Sequence, residues 1–361
     1  MQSPQSHTPR AARAHIDLSA LSHNLDRVCE LAPGSRVMAV VKADAYGHGM
    51  AEVVQALDRA DAFAVATVME AVRVRERVAG RPIVALQGPH SWDEAQLARA
   101  ARIQVVIHAW EQLDLLARLG RGDGVEVWLK VDTGMHRLGF APEELDRVWS
   151  RLGRVAGVRP MGHLTHLARA DEPGSEHTDR QIRAFEHAVE GRPGLQSIAN
   201  SAGVLRYPDS HRDWVRPGIM LYGCSPLGVA SEVLEPAMTL KAVVVQLKRC
   251  RGGEPVGYGG TFVCPEDMPI GVVGIGYADG YPRHAPNGTP VLVGGCRAAL
   301  VGRVSMDMIT VDLRGVPEVS VGDEVVLWGR GLPVEEVSRR AGTIGYELLC
   351  RAGCATHRLY A

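Results

Sequence analysis

The sequence predicts an α/β fold: an N-terminal (β/α)8 TIM-type barrel followed by a mostly-β C-terminal domain. Three observations predict it. From Leu18 to about Leu221, short runs of Val, Ile and Ala alternate with longer stretches of helical periodicity, as repeated βα units require. Eight such runs can be marked, the number that closes a barrel rather than leaving an open sheet. After Tyr222 the texture changes to Val/Leu-rich segments separated by glycine turns, with little helical periodicity. At 361 residues, 46% of them hydrophobic, the chain can bury a large core and exceeds the commonest single-domain size. The division expected is a flexible N-terminus at 1–13, a barrel at 14–236 and a β-rich domain at 237–361.

In chain order, the barrel strands are placed at Val37 to Val41, Ala62 to Ala66, Ile83 to Leu86, Gln104 to Ile107, Val125 to Val131, Met161 to His166, Gln196 to Ala199 and Ile219 to Tyr222. Each is a short apolar run bounded by polar or turn residues. Between them, Leu21 to Leu31, Val53 to Ala60, Trp92 to Ala101 and Thr178 to Val189 carry helical spacing. In the second domain, strands are placed at Leu240 to Leu247, Ile270 to Ile275, Pro290 to Val293, Ala298 to Val304, Met308 to Leu313 and Glu324 to Trp328, with a helix at Val334 to Ala341. Periodicity does not say how this sheet closes.

Composition narrows the function classes. Forty basic and 41 acidic residues leave a net charge of -1, so no global field points to nucleic acid or an anionic membrane. Residues 1–13 lack an apolar core and no later apolar run approaches membrane-spanning length, so a cytoplasmic protein without a membrane partner is expected. Seven cysteines, an odd and scattered number, fit reduced thiols better than a disulfide framework. Cys350 and Cys354 have no second pair to complete a zinc site, and no metal is expected.

Chemistry concentrates at Ala39 to Gly49, where an apolar strand ends in Lys42 and a small, polar turn. Packing would favour an aliphatic residue at that place. An amine held in partly apolar surroundings loses its proton more easily and can condense with a carbonyl, which makes Lys42 a candidate Schiff-base lysine. Lys42, Asp132, His166 and Asn200 all lie at or just past C-terminal strand ends, where barrels keep their chemistry. Asn200-Ser201-Ala202-Gly203 and Arg216-Pro217-Gly218-Ile219 can offer a hydroxyl and backbone N–H groups to a phosphate.

The lysine run resembles the pyridoxal-phosphate motif of the alanine racemase family, fold-type III. Three further blocks of that family follow in order, Lys130 to Gly139, Ala199 to Gly203 and Gly274 to Tyr281, and the resemblance extends from about His15 to Tyr360. It implies an alanine racemase, an isomerase that interconverts L- and D-alanine with pyridoxal 5'-phosphate and supplies D-alanine for peptidoglycan. By resemblance, Tyr46, Ser201, Gly218, Ile219 and Tyr346 form the phosphate cradle, and Arg216 faces the pyridine nitrogen. A guanidinium does not surrender its proton near neutral pH, so the ring nitrogen stays largely unprotonated and the carbanion brief, which suits racemisation over transamination.

Racemisation also needs a base on each face of Cα, because a clamped substrate cannot turn over between steps. Lys42 serves one face, and the resemblance assigns Tyr277 to the other, with His166 as its hydrogen-bond partner. In the family that tyrosine reaches the other subunit's site, so the resemblance implies a head-to-tail homodimer in which Tyr277 and Met306 complete the partner's site. Arg137 is implied as the substrate-carboxylate ligand, Lys130 as a carbamylated lysine that steers it, and Met306 and Asp307 as substrate-pocket residues.

His136 stands where the family loop usually has glycine, Leu167 where Phe is frequent, and Ser305 where several relatives have cysteine. Other readings are weaker. A metal-dependent barrel hydrolase would draw on Lys130, Asp132, His163 and His166, but side chains three apart on a strand point to opposite faces. Metal-dependent aldolases and dehydratases with a related barrel would need a metal cluster late in the chain, where Cys350, Cys354 and His357 make no convincing one. A non-catalytic pyridoxal-phosphate homeostasis protein would be a lone barrel, which the second domain disfavours. A broader small-amino-acid racemase stays open, since serine differs from alanine by one hydroxyl.

Overall fold

The computed structural model describes residues 12–120 and 124–361, and the expected tail at 1–13 falls mostly outside them. The chain divides into two units. Of the described residues, one unit comprises Leu21–Ala45 and Met50–Leu221; the other comprises 12–20, Tyr46–Gly49 and Tyr222–Ala361.

The first unit holds a closed barrel of eight strands, Arg36–Val40, Ala62–Val65, Ile83–Ala85, Gln104–Ile107, Val125–Lys130, Val158–Leu164, Leu195–Ser197 and Trp214–Val215, each parallel to its neighbours. Ala62–Val65, Ile83–Ala85 and Gln104–Ile107 are buried throughout. Parallel strands covered on both faces read as continuous apolar runs, which is why they were legible in sequence. Seven of the eight strands fall where the sequence predicts them, within a few residues. The eighth does not. Ile219–Tyr222 is a short 3-10 turn, and the closing strand is Trp214–Val215, whose Val215 pairs with Val37. Arg216 N–H still donates to Ala199 O at 2.9 Å and Pro217 O accepts from Val40 N–H at 3.0 Å, but proline has no N–H with which to carry the ladder on to Ile219.

The second unit is organised on one long strand, Met238–Cys250. It pairs antiparallel with Arg13–Ile16, Met268–Val273 and Glu324–Trp328. The order continues from Met268–Val273 through Ile309–Asp312, Cys296–Leu300 and Pro290–Val293 to Glu324–Trp328, so the sheet returns on itself. Four strands and one helix of this unit were not predicted, two of the strands being the small antiparallel pair Pro255–Val256 and Phe262–Val263. Arg13–Ile16 and His357–Tyr360 run parallel to each other at one edge; four residues each, with polar residues interspersed, they carry too little alternation to stand out. The helix Gly345–Ala355 contains glycine at both its first turn and its last, which masks its propensity.

His163 settles where the barrel's histidines point. Its ring stacks on Trp149 of the helix Leu145–Leu152, with centroids 5.1 Å apart, and is fully buried with no hydrogen-bond partner on either nitrogen. His166 lies beyond the strand end at Leu164. Among the described residues, no three His, Cys, Asp or Glu side chains gather where they could hold a metal ion. None of the described helices is long and apolar enough to cross a membrane.

Burial, with Arg192 acting in the same sense, pulls the His163 pKa from 6.5 down to about 4. Between those values the unfolded chain binds the extra proton, so this residue makes stability fall as pH drops through that window, by roughly 3 kcal/mol in all. His163→Leu is expected to stabilise the fold by about 1 kcal/mol at pH 7 and to reduce its acid sensitivity. Urea midpoints at pH 7.5 and pH 4.5 check this: an unchanged difference between the two would contradict it.

Candidate active site

Lys42 follows the first barrel strand and opens an unusual piece of backbone. Ala43, Asp44, Ala45 and Tyr46 all have φ between 51° and 55°, a left-handed turn made without a single glycine. Each L-residue in that conformation costs roughly 1–2 kcal/mol, so neighbouring contacts must impose it. Ala45 N–H donates to Val41 O at 3.0 Å, and Met50 N–H donates to Asp44 Oδ1 at 2.8 Å. Ala43 N–H donates to Glu70 Oε1 at 2.9 Å. Sequence pattern did not single out Glu70.

Arg216 sits just past the last strand, wholly buried. Its guanidinium donates to Ser197 Oγ at 2.6 Å, to Ile198 O at 3.3 Å and to the carbonyl of Thr165. Burial lowers its pKa to about 10, which still leaves it charged at neutral pH. Lys130, at the end of the fifth strand, is brought down to about 8 by burial and by Arg216, Arg137 and Lys42, with Asp132 opposing. His166 is held well below its usual value by burial and then by Arg216, Lys130, Arg137 and Lys42, so its imidazole is neutral at physiological pH.

Arg137 is exposed on a loop that Asp132 organises. Asp132 Oδ1 accepts the N–H groups of Gly134, Met135 and His136 at 3.0, 3.1 and 3.0 Å. Burial pulls its carboxyl upward, but these donors and His136 outweigh it and hold the group below the usual carboxylate range. His136 takes φ 54°, and its Nδ1 returns to Asp132 Oδ2 at 3.3 Å. Glycine would adopt that backbone without penalty; histidine adopts it with its ring tied to the carboxylate. Gln181 secures the facing loop, donating to His166 O at 3.0 Å and accepting from Ala168 N–H at 2.8 Å.

Ser201 begins the helix Ser201–Arg206, capped by Asn200 through Gly203 N–H at 3.0 Å. The Ser201 hydroxyl accepts from Gly218 N–H at 2.8 Å and lies 3.4 Å from Met220 N. Ser201, Gly218 and Ile219 are all buried. The barrel unit therefore brings together Lys42, Lys130, His166 and Arg216 in one electrostatic group with Arg137, and Ser201 with Gly218.

The second unit holds the rest. Tyr46 is 8% exposed, its ring 4.8 Å from that of Tyr222 and 6.1 Å from that of Tyr346. Buried His48 packs under Tyr222 at 4.6 Å and meets Tyr46 O through Nδ1 at 3.0 Å. Tyr222 and His48 were not expected here. Burial, with a smaller push from Cys350, drives the Tyr46 hydroxyl far above its usual pKa, so it remains a donor. Gly47 is required at φ 83°, because a Cβ there would lie 2.5 Å from Leu349 O. Tyr277, Met306 and Asp307 are exposed together on another edge. Tyr277 N–H donates to Ser305 O at 3.1 Å and Ala278 N–H to Met306 O at 3.0 Å. That approach needs Gly276, whose Cβ would fall 2.2 Å from Met306 O.

The barrel site fits an anionic cofactor. Four cations act on His166 while Asp132 is the one carboxylate that opposes them at Lys130. Such an excess in partly buried surroundings is relieved by a phosphate and a substrate carboxylate. Lys42 can offer an amine to a carbonyl, and the Ser201 hydroxyl, which accepts from Gly218 N–H, can offer its own proton to a phosphate.

Known proteins resemble the chain along nearly its whole length. Residues 16–226 match the family model for the alanine racemase N-terminal domain and residues 237–360 that for the C-terminal domain. The alanine racemase of Halorhodospira halophila is 53% identical, with 95% of each chain covered. That of Thioalkalivibrio sulfidiphilus is 54% identical over 95% of this chain and 97% of its own. The crystal structure of biosynthetic alanine racemase from Pseudomonas aeruginosa superposes with a TM-score of 0.95 at 48% identity, covering 98% of this chain and 99% of that one. An alanine racemase structure from Bartonella henselae with covalently bound pyridoxal phosphate gives 0.90 at 31% identity, covering 98% and 100%.

Arg216→Lys keeps the charge but loses the fork that reaches three acceptors. It is expected to destabilise the protein by about 2 kcal/mol, read from denaturant midpoints at constant slope. A stability within error of the parent would mean that the guanidinium bonds do not anchor the barrel mouth.

Proposed function

Because the chain belongs to the alanine racemase family, it is a pyridoxal-phosphate-dependent isomerase that interconverts L- and D-alanine, and we propose that Lys42 and Tyr277 are its two bases. The D-alanine it makes supplies peptidoglycan. The observation that carries the assignment of sites is the cationic barrel mouth built by Lys42, Lys130, Arg137 and Arg216 around a neutral His166.

Pyridoxal 5'-phosphate, when bound, supplies the electron sink that acidifies the Cα–H of an amino acid. Lys42 would hold its carbonyl carbon, and Ser201, Gly218, Ile219, Tyr46 and Tyr346 would hold its phosphate. Arg216 would face its ring nitrogen. Three acceptors fix the guanidinium and it stays protonated at neutral pH, so no proton passes from it to the ring. Arg137 takes the substrate carboxylate in its fork. Lys42 Nζ takes or gives the proton on one face of the alanine Cα and Tyr277 Oη does so on the other. His166, held neutral, orients the tyrosine hydroxyl without adding charge.

Lys130 has a different task. With a pKa near 8, a sizeable fraction is neutral amine at physiological pH. A neutral amine adds to carbon dioxide and releases a proton, giving a carbamate anion that can accept from Arg137 and relieve the repulsion between the two cations. A head-to-tail homodimer is supported by exposure: Tyr277, Met306 and Met308 are 39%, 53% and 46% exposed, large apolar groups on one edge of the second unit, as residues donated to a partner's site would be. The domain limits that go with this reading are 14–236 for the cofactor barrel and 237–361 for the β-rich part. Seven free cysteines accord with a reducing cytoplasmic setting.

In heavy water, L-alanine is expected to give D-alanine carrying deuterium at Cα, followed by chiral chromatography and mass spectrometry. Tyr277→Phe should lower the racemisation rate by about a thousandfold. Inversion at the parental rate in that variant would rule out Tyr277 as the second base.

Mixing inactive Lys42→Ala protomers with inactive Tyr277→Phe protomers, under conditions that exchange subunits, tests the head-to-tail arrangement. Each mixed dimer then carries one intact site, and random pairing should restore about a quarter of parental activity. No recovery despite demonstrated exchange would place both bases on one protomer.

A further inference from the structure

Glu70 has no part in the chemistry above, yet its carboxylate collects three backbone N–H groups from two stretches of chain. It is the third residue of the helix Val68–Arg75. Its Oε2 accepts from Ala66 N–H at 2.8 Å and from Thr67 N–H at 3.2 Å, while its own N–H donates to Thr67 Oγ1 at 3.1 Å. That much caps a helix. Its Oε1 reaches elsewhere, to the N–H of Ala43 at 2.9 Å, the residue that follows Lys42.

The position of that bond matters. The Ala43 N–H lies in the rigid peptide plane after Lys42, so its direction is set by the Lys42 ψ angle. Fixing it fixes the backbone from which Nζ is extended. Ala43 is also the first of the four left-handed residues, each of which would relax to a right-handed conformation if released. Inside the turn there is the bond from Ala45 N–H to Val41 O, and Asp44 secures its far side through Met50 N–H. Glu70 secures the near side. It does so from the second βα unit, since Ala66 and Thr67 directly follow the strand Ala62–Val65, and this strand pairs with the one that carries Lys42.

We propose that Glu70 is a positioning residue for racemisation: through the Ala43 N–H, its carboxylate locks the left-handed turn and so the point from which Lys42 reaches the reacting carbon. The inference rests on Lys42 being a base. A carboxylate is needed because three donors converge on two oxygens; an amide would turn one acceptor into a donor facing N–H groups.

Two holoenzyme variants separate this role from simple capping. Glu70→Gln should speed amide hydrogen exchange in the segment Ala43–Tyr46 by about tenfold. It should also lower kcat in both directions by about tenfold to a hundredfold, with KM for alanine within about threefold of the parent. Thr67→Ala removes the helix cap but leaves Oε1 on Ala43, so it should lower the melting temperature without either change. Unchanged exchange in Glu70→Gln, unchanged kcat despite faster exchange, or a Thr67→Ala variant that reproduces both effects would each overturn the proposal. A Lys42→Ala enzyme that still racemised would instead remove the assignment of Lys42, a failure read independently of the exchange data.

Discussion

Uncompensated positive charge at the mouth of the barrel is the constraint around which this site is built. Burial acts on Lys130, His166 and Arg216, and neighbouring cations act as well on Lys130 and His166, lowering the affinity of each for its proton. The consequences differ because the reference values differ. Arg216 remains a cation, His166 becomes a neutral hydrogen-bonding group, and Lys130 becomes an amine that can be modified near physiological pH. One electrostatic environment thereby produces three chemical characters, and it also makes the site receptive to a phosphorylated, carboxylate-bearing pair of ligands. Holding such charge in place requires geometry: the fork of Arg216 is tied to Ser197 of the seventh barrel strand and to Ile198 and Thr165 just past the ends of the seventh and sixth.

Strain is the second element. Four consecutive L-residues in a left-handed turn would not survive in isolation. They persist because Glu70 accepts the Ala43 N–H, because the Asp44 carboxylate accepts the Met50 N–H beyond the turn, and because Gly47 allows the chain to come within contact of Leu349. The turn delivers two differently used side chains within five residues. Lys42 belongs with the barrel unit, while Tyr46 belongs with Tyr222 and Tyr346 in the other. A right-handed turn would aim the two differently.

Exposure at the edge of the second unit has the opposite logic. Tyr277 and Met306 are large apolar groups left open to solvent, on loops joined by backbone hydrogen bonds and by the close approach at Gly276. Tyr222 and Tyr281 are each 1% exposed, whereas Tyr277 is 39% and Met306 53% exposed. Such an edge suits residues that act on another copy of the chain.

By itself the sequence determined the barrel, the lysine at the end of its first strand and the β-rich domain that follows. These are local quantities: an apolar run covered on both faces, a change of period, a residue type at a strand end. Family motifs added the roles. Only the tertiary structure decided the rest. The closing strand moved to Trp214–Val215, because Pro217 has no N–H with which to carry the ladder on to Ile219. The short strand Arg13–Ile16 pairs on the edge of Met238–Cys250 and His357–Tyr360 pairs in turn on Arg13–Ile16, partners that their own eight residues do not announce. Glu70, Gln181 and His48 gained their places through partners distant in the chain or hidden in the backbone. Spacing reads repeats along one element; it does not read which carboxylate meets which N–H once separate elements have packed.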